Sequence, residues 1–216
     1  MAHQITRLGF VNAYLVDEGD DLTLIDTTLA GAAKNILAAA KRLGKPIGRI
    51  ALTHYHSDHT GQVDALARQL PGVEVLISAR DAKVLGGDKT PEPGEPKGRL
   101  VPAPTPKTPM TMLGNHVGSL EVHPAPGHSP GQVAFLDPRD GTLYCGDAYA
   151  TLGGVRTSAK VTLPVPVPAA ATWHKPTALE TARALRTLDV RALAPGHGRV
   201  LEDPGAAMDA AIAKGL

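Results

Sequence analysis

Three histidines and an aspartate fall within six residues of the chain, in the stretch THYHSDHTG over residues 53–61. His54 and His56 are two residues apart, so in an extended backbone both side chains point to the same side. Asp58 and His59 follow immediately. Imidazole and carboxylate groups are ligands for Zn(II), Fe(II) and Mn(II). The stretch therefore predicts part of a metal site whose remaining ligands come from elsewhere in the chain.

Single candidate ligands recur in three later turns that contain glycine. His128 lies in PAPGHSPG, Asp147 follows LYCG, and His197 lies in LAPGHG. Each turn adjoins a predicted strand, and glycine lets the backbone approach a metal closely. Structural zinc sites are typically rich in cysteine, whereas none of these candidates is a cysteine. The pattern favours a catalytic metal site over a structural one.

The elements that must position these residues alternate between short apolar strands and amphipathic helices. Strands are predicted over residues 10–17, 22–26, 47–53, 73–78, 119–125, 132–137, 142–147 and 190–195. Helices are predicted over residues 32–43, 63–70 and 177–188, with a further helix from Ala206. The opening TALE of the third helix is a capping-box pattern with Thr177 as N-cap. Strands followed by a helix, twice over, predict two packed sheets with helices outside.

Two proline-rich stretches fit neither a helix nor a central strand. Residues 91–109 contain seven prolines, and residues 162–168 read TLPVPVP. Long loops of this kind often form functional rims. We expect residues 148–176 to form most of the wall of a substrate pocket. Four apolar side chains of this segment favour a partly apolar substrate, with burial in the protein interior as the alternative: Leu163, Val165, Val167 and Trp173.

Composition and charge argue against several other functions. Lys plus Arg number 22 against 21 Asp plus Glu, a net charge of +1, and no segment concentrates basic residues. The sequence therefore predicts neither nucleic acid nor an anionic membrane as a partner. No signal peptide and no apolar stretch of about 18 residues occurs, so we expect a cytoplasmic protein. The length predicts a single domain over residues 1–216.

The motifs THYHSDH, PGHSPG, GDA and PGHG, in this order, resemble those of the metallo-β-lactamase-fold hydrolase superfamily, and in particular its glyoxalase II-like and lactonase-like branch. The resemblance covers nearly the whole chain, from NAYLVD and LTLIDTT to the PGHG turn. It implies an α/β fold, a four-layer αββα sandwich. It also implies a metal site at the strand-end loops between the two sheets.

The resemblance further implies a dinuclear site that binds two divalent metal ions. Zn(II) is the first expectation, and Fe and Mn are the alternatives. The ligands divide into His54, His56 and His128 for one metal, and Asp58, His59 and His197 for the other, with Asp147 bridging both. Seven ligands are too many for one tetrahedral zinc, which supports this partition.

Two such ions about 3.5–4 Å apart can share a hydroxide, because they lower the pKa of bound water towards ~7. We predict that this hydroxide is the nucleophile and that Asp58 orients it or accepts its proton. Asp26 is predicted to support the metal-binding loop. Tyr149 and Trp173 are predicted to contact the substrate, although Tyr149 also fits a core position.

The motifs narrow the reaction without choosing a substrate. Asp147 argues against a true β-lactamase, and His56 in place of a glutamate argues against a flavodiiron oxygen reductase. The weak net charge fits an RNase Z-type enzyme poorly. A hydrolase of a small ester, lactone or thioester remains, resembling acyl-homoserine lactonases or glyoxalase II. Glyoxalase II carries a C-terminal helical domain with basic residues for glutathione, whereas about nineteen residues with a single lysine, Lys214, follow His197 here, which argues against a glutathione thioester as the substrate.

Two alternatives come from other classes of function. A mononuclear iron persulfide dioxygenase shares HxHxDH, the later histidine and the aspartate, but it binds one Fe(II) through two histidines and an aspartate. A metal-binding module without turnover is the other alternative. The complete second set of ligands favours the dinuclear hydrolase. The sequence indicates neither the substrate nor the oligomeric state.

Overall fold

The structure, a computed structural model, describes residues 3–163 and 167–216. Two six-stranded β-sheets pack face to face, and helices cover their outer faces. The predicted four-layer αββα sandwich is therefore confirmed. Within the described ranges, no helix combines the length and the apolar character that crossing a membrane requires.

The first sheet is mixed. Its strands are, in chain order and in spatial order, β1 (His3–Arg7), β2 (Val11–Asp17), β3 (Leu22–Ile25), β4 (Ile47–Ala51), β5 (Glu74–Ile77) and β6 (Thr111–Met112). The strands β1 to β3 are antiparallel neighbours, whereas β3 to β6 run parallel. Parallel neighbours need crossover connections. The helices in these connections are α1 (Ala33–Leu43), α2 (Ser57–Thr60), α3 (Val63–Ala67) and α4 (Ala79–Leu85).

The second sheet contains the later strands. They are β7 (His116–Val117), β8 (Leu120–Pro124), β9 (Val133–Asp137), β10 (Thr142–Gly146), β13 (Ala192–Pro195) and β14 (Leu201–Glu202), and β11 (Tyr149–Ala150) with β12 (Arg156–Thr157) forms a separate ribbon. The spatial order is β14-β13-β10-β9-β8-β7, with β10 and β13 parallel. A 3-10 turn (Ala169–Ala171) and α5 (Lys175–Arg186) lie between β12 and β13 in the chain, and α6 (Gly205–Ala213) follows β14.

Apolar clusters between the layers hold the sandwich together. Successive side chains of β10 point to opposite faces of the second sheet. Leu143 and Cys145 belong to the cluster under α5 and α6, whereas Tyr144 belongs to the cluster between the two sheets. On the other side, Ile36 of α1 is fully buried in the cluster that also contains Leu24 of β3. Burying a side chain of this size contributes about 1.5–3 kcal/mol.

Several short elements were not predicted, and one helix begins earlier than predicted. The strand β1 and the helix α4 have no counterpart among the predicted elements. The predicted capping residue Thr177 is wrong, because α5 begins at Lys175 and His174 is its N-cap. The Nδ1 atom of His174 accepts the Thr177 N–H at 3.4 Å. Pro176 fits the first turn because its missing N–H needs no partner there.

The proline-rich stretch 91–109 contains neither helix nor strand, as predicted, but several side chains fasten it to the first sheet layer. Arg80 donates to both carboxylate oxygens of Glu95, at 2.6 Å and 2.9 Å. The hydroxyl of Tyr55 donates to the Val101 carbonyl at 2.9 Å. The segment is therefore an ordered wall beside the histidine cluster.

The second proline-rich stretch is described only in part. Leu163 and Val167 are 79% and 37% exposed, so their apolar side chains face solvent. The predicted pocket residue Val165 lies outside the described residues. The apolar character expected of this segment is thus visible at its two ends.

Gly98 packs against Trp173, the single tryptophan of the chain. A Cβ atom at residue 98 would lie 2.4 Å from indole Cδ1 and Nε1 and from the Trp173 carbonyl. We expect Gly98→Ala to lower the free energy of unfolding by about 1–3 kcal/mol, because overpacking forces the two segments apart. Urea unfolding followed by tryptophan fluorescence measures this change.

Gly114→Ala is the matched control, since a Cβ atom there meets open space within 4 Å. We expect its unfolding curve to match that of the wild type. Equal stability of the Gly98→Ala variant would show that the loop does not pack against the indole.

Candidate metal centre

The structure brings all seven predicted ligands together in the turns that follow strands. Their ligand atoms form two groups, and within each group these atoms lie within 4.8 Å of one another. The three-histidine group is His54, His56 and His128, and the mixed group is Asp58, His59, Asp147 and His197. These groups coincide with the two ligand sets that the resemblance implies.

The Asp147 carboxylate lies between the two groups. Its Oδ2 atom is 3.3 Å from His128 Nε2 and 3.2 Å from His197 Nε2. Its Oδ1 atom is 3.4 Å from His59 Nε2. One carboxylate thus contacts histidines of both groups, which is the position that a bridging ligand occupies.

The spacing of the imidazoles suits a shared ion. His56 Nδ1 and His128 Nε2 face each other at 2.9 Å. Two nitrogens that bind one tetrahedral zinc at ~2.0–2.1 Å are about 3.3 Å apart. The two nitrogens therefore stand near the separation that coordination to one ion requires.

Buried polar atoms without a partner provide a second test of the fit. Among the described residues, His54 Nε2, His59 Nε2 and Asp147 Oδ1 are buried and make no hydrogen bond. Leaving such a group unsatisfied costs about 1–3 kcal/mol. Nitrogen and oxygen donors without cysteine suit Zn(II), Fe(II) or Mn(II). The cluster therefore fits divalent metal ions.

The three-histidine group is electrically neutral at neutral pH. Burial lowers the pKa of His54 well below its usual range, that of His56 to about 3 and that of His128 to about 4. Desolvation disfavours the charged imidazolium form. Metal ions bind the neutral imidazole, so this group is already in the form that coordinates.

Carboxylates give the mixed group the opposite tendency. Burial lowers the pKa of His197, but the charge of Asp147 and hydrogen bonds to Asp147 and Asp58 outweigh it and raise the pKa to about 9. Burial raises the pKa of Asp58, but the charge of His59 and the hydrogen bond from His197 outweigh it and lower the pKa to about 2. The two carboxylates therefore attract positive charge, and a metal ion that binds this group must displace the protons of its imidazoles.

Asp26 supports two candidate ligands from the turn after β3. Its φ of 57° lies in the left-handed region, which is uncommon outside glycine. Its carboxylate accepts the Thr53 N–H at 2.8 Å and the Thr53 hydroxyl at 2.7 Å, and it lies 2.7 Å from His59 Nδ1. Because the Thr53 hydroxyl donates to Asp26, it accepts from His54 Nδ1 at 3.0 Å. Both imidazoles then present Nε2 to the centre.

Thr172 does the same for His128, and the sequence motifs do not mark it. Its hydroxyl donates to the Ser158 carbonyl at 2.8 Å, so it accepts from His128 Nδ1 at 3.1 Å. His128 Nε2 is thereby left with a free lone pair. Forty-four residues separate Thr172 from His128, and no local pattern connects them.

Gly196 of the PGHG motif lies directly against the centre. A Cβ atom at this residue would lie 2.3 Å from Asp147 Oδ1 and 2.6 Å from His59 Cε1. A side chain at residue 196 would therefore displace two candidate ligands. This close approach is the physical reason for a glycine before His197.

The predicted substrate contact of Tyr149 is wrong. The side chain is fully buried in the cluster under α5, and its hydroxyl donates to the Ala182 carbonyl at 2.7 Å. The alternative core position is therefore the observed one. Trp173 adjoins the centre, since its backbone N–H donates to the His128 carbonyl at 2.9 Å. Its contact with a substrate stays a prediction.

Comparisons with known sequences agree with this arrangement. The family model of the metallo-beta-lactamase superfamily matches residues 6–197. The chain is 42% identical over 209 residues to "Uncharacterized protein YobT" of Bacillus subtilis, covering 94% of this chain and 90% of that protein. It is 31% identical over 154 residues to a hydroxyacylglutathione hydrolase of Rhodospirillum rubrum, covering 70% of this chain and 52% of that protein. The chain thus spans about half the length of the latter relative.

Solved structures show the same fold. The crystal structure of TTHA1623 in a di-iron-bound form is similar with a TM-score of 0.69 and 27% identity, covering 96% of both chains. The B3 metallo-beta-lactamase BLEG-1 is similar in fold, with a TM-score of 0.70, 24% identity and 97% of both chains covered. Because the matched family model spans all four turns that carry the candidate ligands, the chain belongs to the metallo-beta-lactamase superfamily.

Proposed function

We propose that the protein hydrolyses an ester, lactone or thioester bond of a small molecule at a dinuclear metal centre, with Zn(II) as the first candidate metal. The observation that carries the proposal is the position of the Asp147 carboxylate. It contacts His128 of the three-histidine group at 3.3 Å and His197 of the mixed group at 3.2 Å. A carboxylate held between two sets of ligands supports two ions rather than one.

When bound, two such ions lower the pKa of water towards ~7 and polarise a scissile carbonyl. The chain supplies the other functions. The side chain of Asp58 is 29% exposed, whereas the other candidate ligands are buried. Asp58 is therefore the candidate ligand that solvent and a substrate can reach. As a carboxylate, it orients the attacking water or accepts its proton.

Two observations guide the choice of substrate. Relatives named hydroxyacylglutathione hydrolase support a thioester as the substrate. This chain covers about half of their length, so we do not propose glutathione as part of the substrate. Leu163 and Val167, which the sequence predicts to line the pocket, are exposed, so their apolar side chains are accessible to an acyl group. We propose a small molecule as the substrate and the cytoplasm as the location of the protein, as the sequence predicts.

Metal content tests the dinuclear site. We expect two metal ions per chain in protein purified without added metal or chelator, and one in His59→Ala. His59 is both a candidate ligand and the contact of Asp26, so its loss empties the mixed group. Elemental analysis measures both values.

His123→Ala is the control for removing an imidazole, because His123 lies outside both groups and contacts Glu121 at 3.3 Å. It should retain two ions. Two ions in His59→Ala would contradict the partition. One iron per chain, together with oxygen consumption when a persulfide is added, would contradict the hydrolase and support the persulfide dioxygenase.

A panel of thioesters, lactones and esters tests the reaction. We expect turnover with at least one of these classes, and a decrease of kcat/KM by about 10²–10⁴-fold in Asp58→Asn, because the amide accepts no proton. The metal content of each sample is measured alongside the activity. Unchanged kcat/KM in a fully loaded Asp58→Asn variant would remove Asp58 from the chemistry. A loaded wild type that cleaves none of the panel would contradict the reaction class.

A further inference from the structure

We propose that Asp81 is the positioning residue of the three-histidine group, an inference that rests on the proposed function. Asp81 belongs to α4, an element outside the metal-binding motifs, and its side chain is fully buried. Two partners of its carboxylate, Tyr55 and Ser129, adjoin a histidine of this group in the chain, and the third, Gly131, lies in the turn that carries His128.

The Asp81 carboxylate joins the two segments that carry the three histidines. Its Oδ2 atom accepts the N–H of Tyr55, between His54 and His56, at 3.1 Å. The same oxygen accepts the hydroxyl of Ser129, the residue after His128, at 2.6 Å. Its Oδ1 atom accepts the Gly131 N–H at 2.7 Å. One side chain therefore sets the distance between segments more than 70 residues apart in the chain.

The local structure holds Asp81 in this position. Ser78 caps α4, and its hydroxyl oxygen accepts the Asp81 N–H at 3.2 Å. A Cβ atom at Gly131 would lie 2.5 Å from the Asp81 nitrogen and 2.6 Å from Oδ1. The PGHSPG turn can reach the carboxylate only because residue 131 has no side chain. Asp81 thus explains two residues of that motif, Ser129 and Gly131, that bind no metal.

The mixed group depends on a different carboxylate. Asp26 contacts His59 and Thr53, whereas the contacts of Asp81 lie on Tyr55, Ser129 and Gly131. Asp26 therefore supports His59 directly and His54 through Thr53, whereas the three contacts of Asp81 all lie in segments of the three-histidine group. Loss of Asp81 should weaken one metal site selectively, which a general loss of stability does not do.

The test uses Asp81→Asn, which keeps the shape of the side chain but replaces one acceptor oxygen by an amide nitrogen. Metal-free protein is titrated with Zn(II) against a chromophoric chelator to obtain two dissociation constants. His54→Ala and His59→Ala assign each constant to its group. We expect the constant of the three-histidine group to rise about 10–100-fold, as for other residues that orient ligands, and that of the mixed group to stay unchanged.

Asp64→Asn is the matched control. Asp64 of α3 accepts the N–H groups of Lys107 and Thr108, each at 2.9 Å, and the Thr108 hydroxyl at 2.7 Å. The Asp64→Asn variant therefore loses the same kind of contact, but to a loop that carries no candidate ligand. Both zinc dissociation constants should stay unchanged in this variant. Ser129→Ala removes one of the three contacts of Asp81 and should give a smaller increase in the same constant.

The outcomes separate this inference from the proposed function. A wild type that binds no zinc would contradict the proposed function and the inference together. A wild type with two constants, combined with equal shifts of both or no shift in Asp81→Asn, would contradict the role of Asp81 alone. If Asp81→Asn does not fold by circular dichroism, Ser129→Ala decides, and unchanged constants there would contradict the inference.

Discussion

The buried carboxylate of Asp147 is the interaction on which the rest of the centre depends. A carboxylate with this little exposure is stable only when positive charge or hydrogen-bond donors surround it. Burial raises the pKa of Asp147, but the charges of His197 and His59 outweigh it and hold the pKa well below its usual range. The surrounding histidines, the close approach of Gly196 and the gathering of two ligand groups all accommodate this one charge.

Strand direction explains how ligands distant in the chain meet. The strands β3 and β4 are parallel, and so are β10 and β13, so the carboxyl ends of each pair lie side by side. Asp26 and His54 follow the first pair, and Asp147 and His197 follow the second. Sites at the carboxyl ends of parallel strands are a general property of α/β sheets. Packing the two sheets face to face then brings both pairs together.

Hydrogen bonds behind the ligands prepare the centre before a metal arrives. Asp26, Thr53 and Thr172 occupy the Nδ1 atoms of three imidazoles, so the Nε2 atoms point inward. Such contacts fix the tautomer and the ring orientation. The left-handed backbone at Asp26 shows that the fold accepts local strain to obtain this arrangement.

The sequence by itself determined the family, the layer architecture and the seven candidate ligands, because apolar periodicity and short motifs are local properties of the chain. Tertiary structure alone decided the remaining features. The hydroxyl of Tyr149 bonds to Ala182, Thr172 supports His128, and His174 rather than Thr177 caps α5. The edge strand β1 and the buried Asp81 likewise depend on partners far along the chain. The spacing of the motifs does not predict these contacts, because they form only when the two sheets and their helices pack together.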